Sequence, residues 1–216
     1  FTEQALARIS QLYLEKKDYK TSLPYLIRLE TEADFPQNII FAQSNAMKAS
    51  YELEKYHEAV IFADKVLQNE KIENSVKSDA QIIIARSAMK TGDENKAKDA
   101  YAEVLKIATG KLAAEALYYD AYFKNKSEQL KASNESIQLL AKEYAGYKYF
   151  GAKGLVLMAK NFYKLNDAFQ ATYILESVIK NFEDYPDIIE EATSELAIIK
   201  SEQAKTNDSI NIEEKN

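Results

Sequence analysis

The chain has a single histidine and no cysteine, so few residues could carry chemistry. His57 is followed by Glu58, the opening of a zinc-protease helix, but that motif needs a second histidine four residues on, where Ile61 stands. At the start of a helix beside a turn, His57 reads as a solvated surface residue. Glu190-Glu191 and Glu213-Glu214 are adjacent carboxylates, and on a helix such neighbours splay about 100° apart instead of converging on a substrate. The glycines at 92, 110, 146, 151 and 154 form neither a dinucleotide fingerprint nor a phosphate loop. Without cysteine there are no disulfides, thiolate metal sites or cysteine nucleophiles. Asn-x-Ser sequons at Asn125, Asn134 and Asn207 are too short a pattern to argue from. The expectation is a protein that is not an enzyme, with no catalytic residue, metal ligand or cofactor.

The elements that could position a binding surface instead follow from composition. Of 216 residues, 46% are apolar and 29% charged, enough to bury a core. Five glycines and three prolines are too few for the turns of an all-β sandwich or barrel, which leaves helices. No apolar stretch approaches the roughly 20 residues of a membrane span, so no transmembrane segment is expected. The net charge is −6 and the only arginines are Arg8, Arg28 and Arg86, which argues against a nucleic-acid partner.

A repeat organises the helices. Segments 22–29, 59–66, 97–104, 133–140 and 171–178 each open on a small residue: Ser22, Ala59, Ala97, Ser133 and Ala171. Four residues later stand Leu26, Ala63, Tyr101, Ile137 and Leu175, and seven later Leu29, Val66, Val104, Leu140 and Val178. This is the stripe of an amphipathic helix. Successive openings lie 37, 38, 36 and 38 residues apart, and twelve residues before each comes Ser10, Met47, Ala85, Ala121 or Ala159. Two helices per repeat follow, with repeats near 2–37, 38–73, 74–111, 112–149 and 150–184. Polar turns separate the helices, and Gly92 and Asn166 suit the left-handed position that ends one. One hairpin cannot bury both its faces, so the repeats must stack.

These residues resemble the tetratricopeptide repeat family, through Leu155, Ala159, Phe162, Asn166-Asp167, Ala171, Leu175 and Val178 in the fifth repeat. In the first, Leu6, Ser10, Tyr13, Asp18-Tyr19, Ser22 and Leu26 carry the same pattern. The period is longer than the family's, and the extra residues are expected to lengthen the connections between repeats; repeat four has Lys124 where an aromatic is expected. The resemblance implies an all-α, right-handed α-α superhelix, a single solenoid over 1–205. After Tyr185-Pro186, residues 186–205 read as a capping helix with Ile189, Ala192, Leu196 and Ile199 on one face, and 206–216 as a frayed polar tail. The start at Phe1, without a cap, leads us to expect further repeats upstream. The stretch from Tyr149 to Ala192 further resembles the closing segment of long envelope proteins of this family in Bacteroidota, which implies the periplasm or cell envelope, with the cytoplasm as alternative.

In that family the first helices of successive repeats line a concave groove. The corresponding exposed positions bring together Lys48, Tyr51, Arg86, Met89, Lys90, Tyr118, Tyr122, Lys160, Tyr163 and Lys164. Across all such positions seven residues are basic and four acidic, a net +3 in an acidic chain. Exposed rings beside cations suit a peptide groove, since rings supply contact area while Lys and Arg steer carboxylates. The expectation is an interaction scaffold holding another polypeptide, acidic or carboxylate-ended, within a larger envelope assembly. The alternative is an architectural or self-associating segment with no groove of its own. Tyr144, Tyr147, Tyr149 and Phe150, between repeats four and five, either plug the joint there or face a partner.

Overall fold

A computed structural model describes residues 2–69 and 71–213, with side chains as far as 205. The described residues form eleven helices in chain order and no strand: α1 Glu3–Glu15, α2 Tyr19–Glu32, α3 Pro36–Glu52, α4 Tyr56–Leu67, α5 Asn74–Thr91, α6 Glu94–Ile107, α7 Gly110–Lys126, α8 Leu130–Glu143, α9 Lys148–Lys164, α10 Ala168–Asn181 and α11 Pro186–Glu213. The chain divides within α7 into two compact units, 1–113 and 114–216. Among the described residues no helix is long and apolar enough to cross a membrane.

The repeat stripe is the core of the hairpins. Ser22, Ala59, Ala97, Ser133 and Ala171 are fully buried, as are their partners Ser10, Met47, Ala85, Ala121 and Ala159 on the first helices. Small side chains at these facing positions let paired helices approach closely. Leu26, Ala63, Tyr101, Ile137 and Leu175, followed by Leu29, Val66, Val104, Leu140 and Val178, fill the space beside them, each at most 1% exposed.

The turn inside each hairpin follows one design. Lys17, Glu54, Gly92, Glu128 and Asn166 all adopt the left-handed conformation, with φ between 56° and 80°. The next residue's amide then reaches back five positions: Asp18 to Tyr13, Lys55 to Ser50, Asp93 to Ala88, Gln129 to Lys124 and Asp167 to Phe162, at 2.8 to 2.9 Å. This backbone closure satisfies a carbonyl that the ending helix leaves without a partner. Asp18, Asp93 and Asp167 also cap the second helix by accepting from the amides of Thr21, Lys96 and Gln170.

Three expectations are corrected. The connections between repeats hold three, six, two, four and four residues, so only 68–73 is long; α3, α5, α7 and α9 run 17 or 18 residues instead and absorb the extra period. Continuing a helix adds one backbone hydrogen bond per residue, whereas a longer loop leaves those groups to water. The tail expected from 206 is helical as far as Glu213, where α11 ends, and 214–216 lie outside the described residues. On α11 the buried face is Ile188, Ala192 and Ile199, with Leu196 half-buried. Ile188, and not Ile189, begins that stripe.

Candidate protein-interaction site

In the first unit, α3 and α5 bring Lys48, Tyr51 and Arg86 together around a cleft of about 250 Å³. Ile82 and Ile83, nearly buried, form its floor, Leu112, Tyr19 and Tyr51 its apolar walls, and Glu52 and Asp79 add carboxylates. Tyr51 is half-buried and held edge-on against Tyr56 with ring centroids 5.6 Å apart. Lys48 extends across the helix pair to Asp79, Nζ to Oδ2 2.5 Å. Met89 is half-buried and Lys90 exposed at the end of α5, and neither lines the cleft.

In the second unit the expected surface is largely covered. Tyr118, expected to face a ligand, is only 8% exposed; its ring packs against Tyr119 and Phe150, and burial pushes its phenol well above the ordinary tyrosine range. The correction has a physical reason, since a large ring gains more from burial among other rings than from water. Lys153 lies over this cluster, its ammonium 4.9 Å from the Tyr118 ring centre and 5.8 Å from that of Tyr149. Tyr122 is half-buried under Lys126, 5.6 Å away. Phe150 is buried and Tyr149 stacks edge-on against it and Tyr185, while Tyr147 remains exposed, so the joint takes the first two rings and not the third.

The remaining expected residues, Lys160, Tyr163 and Lys164, are engaged within the chain. Lys160 Nζ lies 2.7 Å from Glu191 and 3.0 Å from Glu195 of α11. Burial works against its charge, but those two carboxylates outweigh it and hold its pKa above the ordinary lysine value. Tyr163 donates to Glu202, and Lys164 pairs with Glu128 at 3.0 Å. The Tyr149 hydroxyl donates to Asp187 at 3.0 Å; burial first, and then that bond, push its pKa up to about 12. An acidic stripe on α11 thus lies along the basic and aromatic stripe of α9. Apolar periodicity marks α11 only as a cap; the recurrence of its carboxylates at 187, 191, 195 and 202 is the sequence signal for the match to α9.

Two polar clusters also escaped the sequence reading. Asn161, fully buried, donates to Ser133 Oγ and Asn134 Oδ1 at 2.9 and 2.7 Å and accepts from Asn125 at 2.5 Å. Lys124, the residue out of pattern in repeat four, donates to Asp120 and to Ser136 Oγ at 2.7 and 2.8 Å, while that hydroxyl donates to Asp120 at 2.6 Å. Serine beside lysine is a nucleophile-and-base pairing in some hydrolases. Here Ser136 is 5% exposed and hydrogen-bonds the aspartate, and Lys124 is ion-paired, so the trio ties α7 to α8. His57 is exposed and lines a small cavity of about 180 Å³ with Ser87, Thr91, Asp93 and Lys96.

No family model and no curated protein matches the chain. Solved structures do. A tetratricopeptide repeat protein from Parabacteroides merdae superposes with a TM-score of 0.72 at 16% identity, over 97% of this chain and 77% of that one. YrrB, described as a tetratricopeptide repeat protein with an unusual peptide-binding site, gives 0.67 at 13% identity over 88% and 90%. MamA gives 0.66 at 11% identity over 86% and 94%. The chain has the all-α, helical-repeat fold of tetratricopeptide repeat proteins.

Proposed function

We propose that this chain of tetratricopeptide-repeat fold is a non-catalytic interaction scaffold that holds a segment of another polypeptide in the cleft of its first unit. The observation that supports the reading most is the gathering there of Tyr19, Tyr51, Ile82, Ile83 and Leu112, with charged groups beside them, in one concavity. Such a mixture of rings, apolar surface and charge is what peptide recognition uses. The peptide-binding site described for YrrB supports the reading by analogy of fold. The acidic segment expected from the sequence loses support, because Lys48, Lys160 and Lys164 already hold carboxylates of this chain.

Affinity capture of host proteins by the chain and by a Tyr19→Ala/Tyr51→Ala variant, both folded by circular dichroism, tests this. A partner lost with the variant supports the cleft; equal capture by both moves binding elsewhere. The reading assigns the protein to an assembly in the periplasm or cell envelope in preference to the cytoplasm, which cell fractionation checks.

Self-association is the second reading, favoured by Phe169 and Tyr173, one turn apart on α10 and 78% and 63% exposed. A concentration-dependent sedimentation coefficient, abolished by Phe169→Glu, would support it.

A further inference from the structure

The cleft of the first unit also carries information about the charge of its occupant, an inference that rests on the peptide-binding reading above. Of the two cations on its walls, Lys48 is held 2.5 Å from Asp79, and Arg86 is not free either. Glu52, at the end of α3, has no ion-pair partner among the described residues. Glu52 is therefore the charged group on the cleft wall that is left to pair with a ligand, although the basic residues of the groove outnumber the acidic ones in sequence.

An acidic segment entering the cleft meets Glu52 and must also draw Lys48 away from Asp79. A basic segment passes Arg86 but can pair with Glu52 and leave the Lys48–Asp79 contact in place. The cleft volume of about 250 Å³ suits a large side chain or two and not a folded element. We infer that the first-unit cleft accepts a polypeptide segment in which a large apolar side chain is flanked by a lysine or arginine. The apolar group lies between Leu112, Tyr19 and Tyr51, over the floor made by Ile82 and Ile83, and the cation pairs with Glu52. Charge at the rim of such a cleft sets selectivity and encounter more than total affinity.

A random-sequence peptide library selected on the intact chain tests the inference, with the enriched peptides measured against folded Glu52→Gln and Tyr51→Ala variants. The expected peptides combine Lys or Arg with Leu, Phe, Tyr or Trp. They weaken with Tyr51→Ala, and weaken on the order of fivefold with Glu52→Gln, the scale of one exposed ion pair. An acidic consensus, or a basic one indifferent to Glu52→Gln, in peptides still sensitive to Tyr51→Ala, overturns the charge assignment and leaves the peptide cleft standing. Peptides indifferent to both variants, or no enrichment at all, overturn the cleft reading and the inference with it.

Discussion

Lys160 Nζ lies 2.7 Å from Glu191 Oε1, thirty-one residues further along the chain, and Lys48 meets Asp79 across the same separation in the other unit. In each case the cation sits on a first helix and the carboxylate comes from the helix two elements on, α9 to α11 and α3 to α5. The recurrence makes these cations part of how successive hairpins stack within each unit. A lysine already held by the next hairpin or by the closing helix offers less to a ligand than its place on a groove surface implies.

The Lys160 pair is partly exposed, with side-chain exposures of 30% and 43%, so its coupling is small. A double-mutant cycle of Lys160→Met with Glu191→Gln, followed by urea unfolding, should give roughly 0.5 kcal/mol at low salt, shrinking at high ionic strength. A salt-independent coupling of several kcal/mol would mean the pair is far more desolvated than its exposure shows.

Alkaline pH should weaken the second unit. The Tyr149 phenol is raised from 10 to about 12 in the folded chain, by burial and by its bond to Asp187. Its contribution is therefore complete below pH 10, where both states are protonated, and is lost as pH rises towards 12 and the unfolded chain ionises first. Spectrophotometric titration of tyrosinate should show a late-ionising component that Tyr149→Phe removes, and that variant should lose less stability than the parent over the same pH window.

Asn161→Leu should cost roughly 2 to 4 kcal/mol, because it leaves Asn125, Ser133 and Asn134 without their partner in a buried site. Lys124→Met, whose ion pair with Asp120 is about one-third exposed, should cost roughly 1 kcal/mol. Chemical denaturation of both variants checks the ranking, and an Asn161→Leu protein as stable as the parent would show that the Asn161 cluster does not matter to folding.

The hairpin turns should respond oppositely to substitution at equivalent positions. Gly92 has φ of +80° and open space where a β-carbon would stand, so Gly92→Ala should destabilise by about 1 kcal/mol through backbone strain alone. Glu54 and Lys17 hold the same conformation with side chains that disfavour it, so Glu54→Gly and Lys17→Gly should be neutral or stabilising by up to about 1 kcal/mol. Thermal melts of the three variants distinguish these outcomes.

The sequence by itself determined the hairpins. The five small residues from Ser22 to Ala171 and the stripes that follow them are buried as their spacing required, because a helix of fixed pitch leaves one face for the core. Gly92 and Asn166 marked two of the five left-handed turns; Lys17, Glu54 and Glu128 gave no such signal, since there the backbone closure imposes the conformation on side chains that do not favour it. Surface charge was legible as composition and, along α11, as a stripe of carboxylates, but not as pairs. Whether Lys48, Lys160 and Lys164 are open to a ligand depends on carboxylates between 31 and 36 residues away, and no local pattern fixes which of those come within reach. Tyr118 has the same limit: its spacing placed it on a helix face, and only packing against Tyr119 and Phe150 decided that the ring belongs to the core. Periodicity sets which way a side chain points, and tertiary structure alone sets what it meets there.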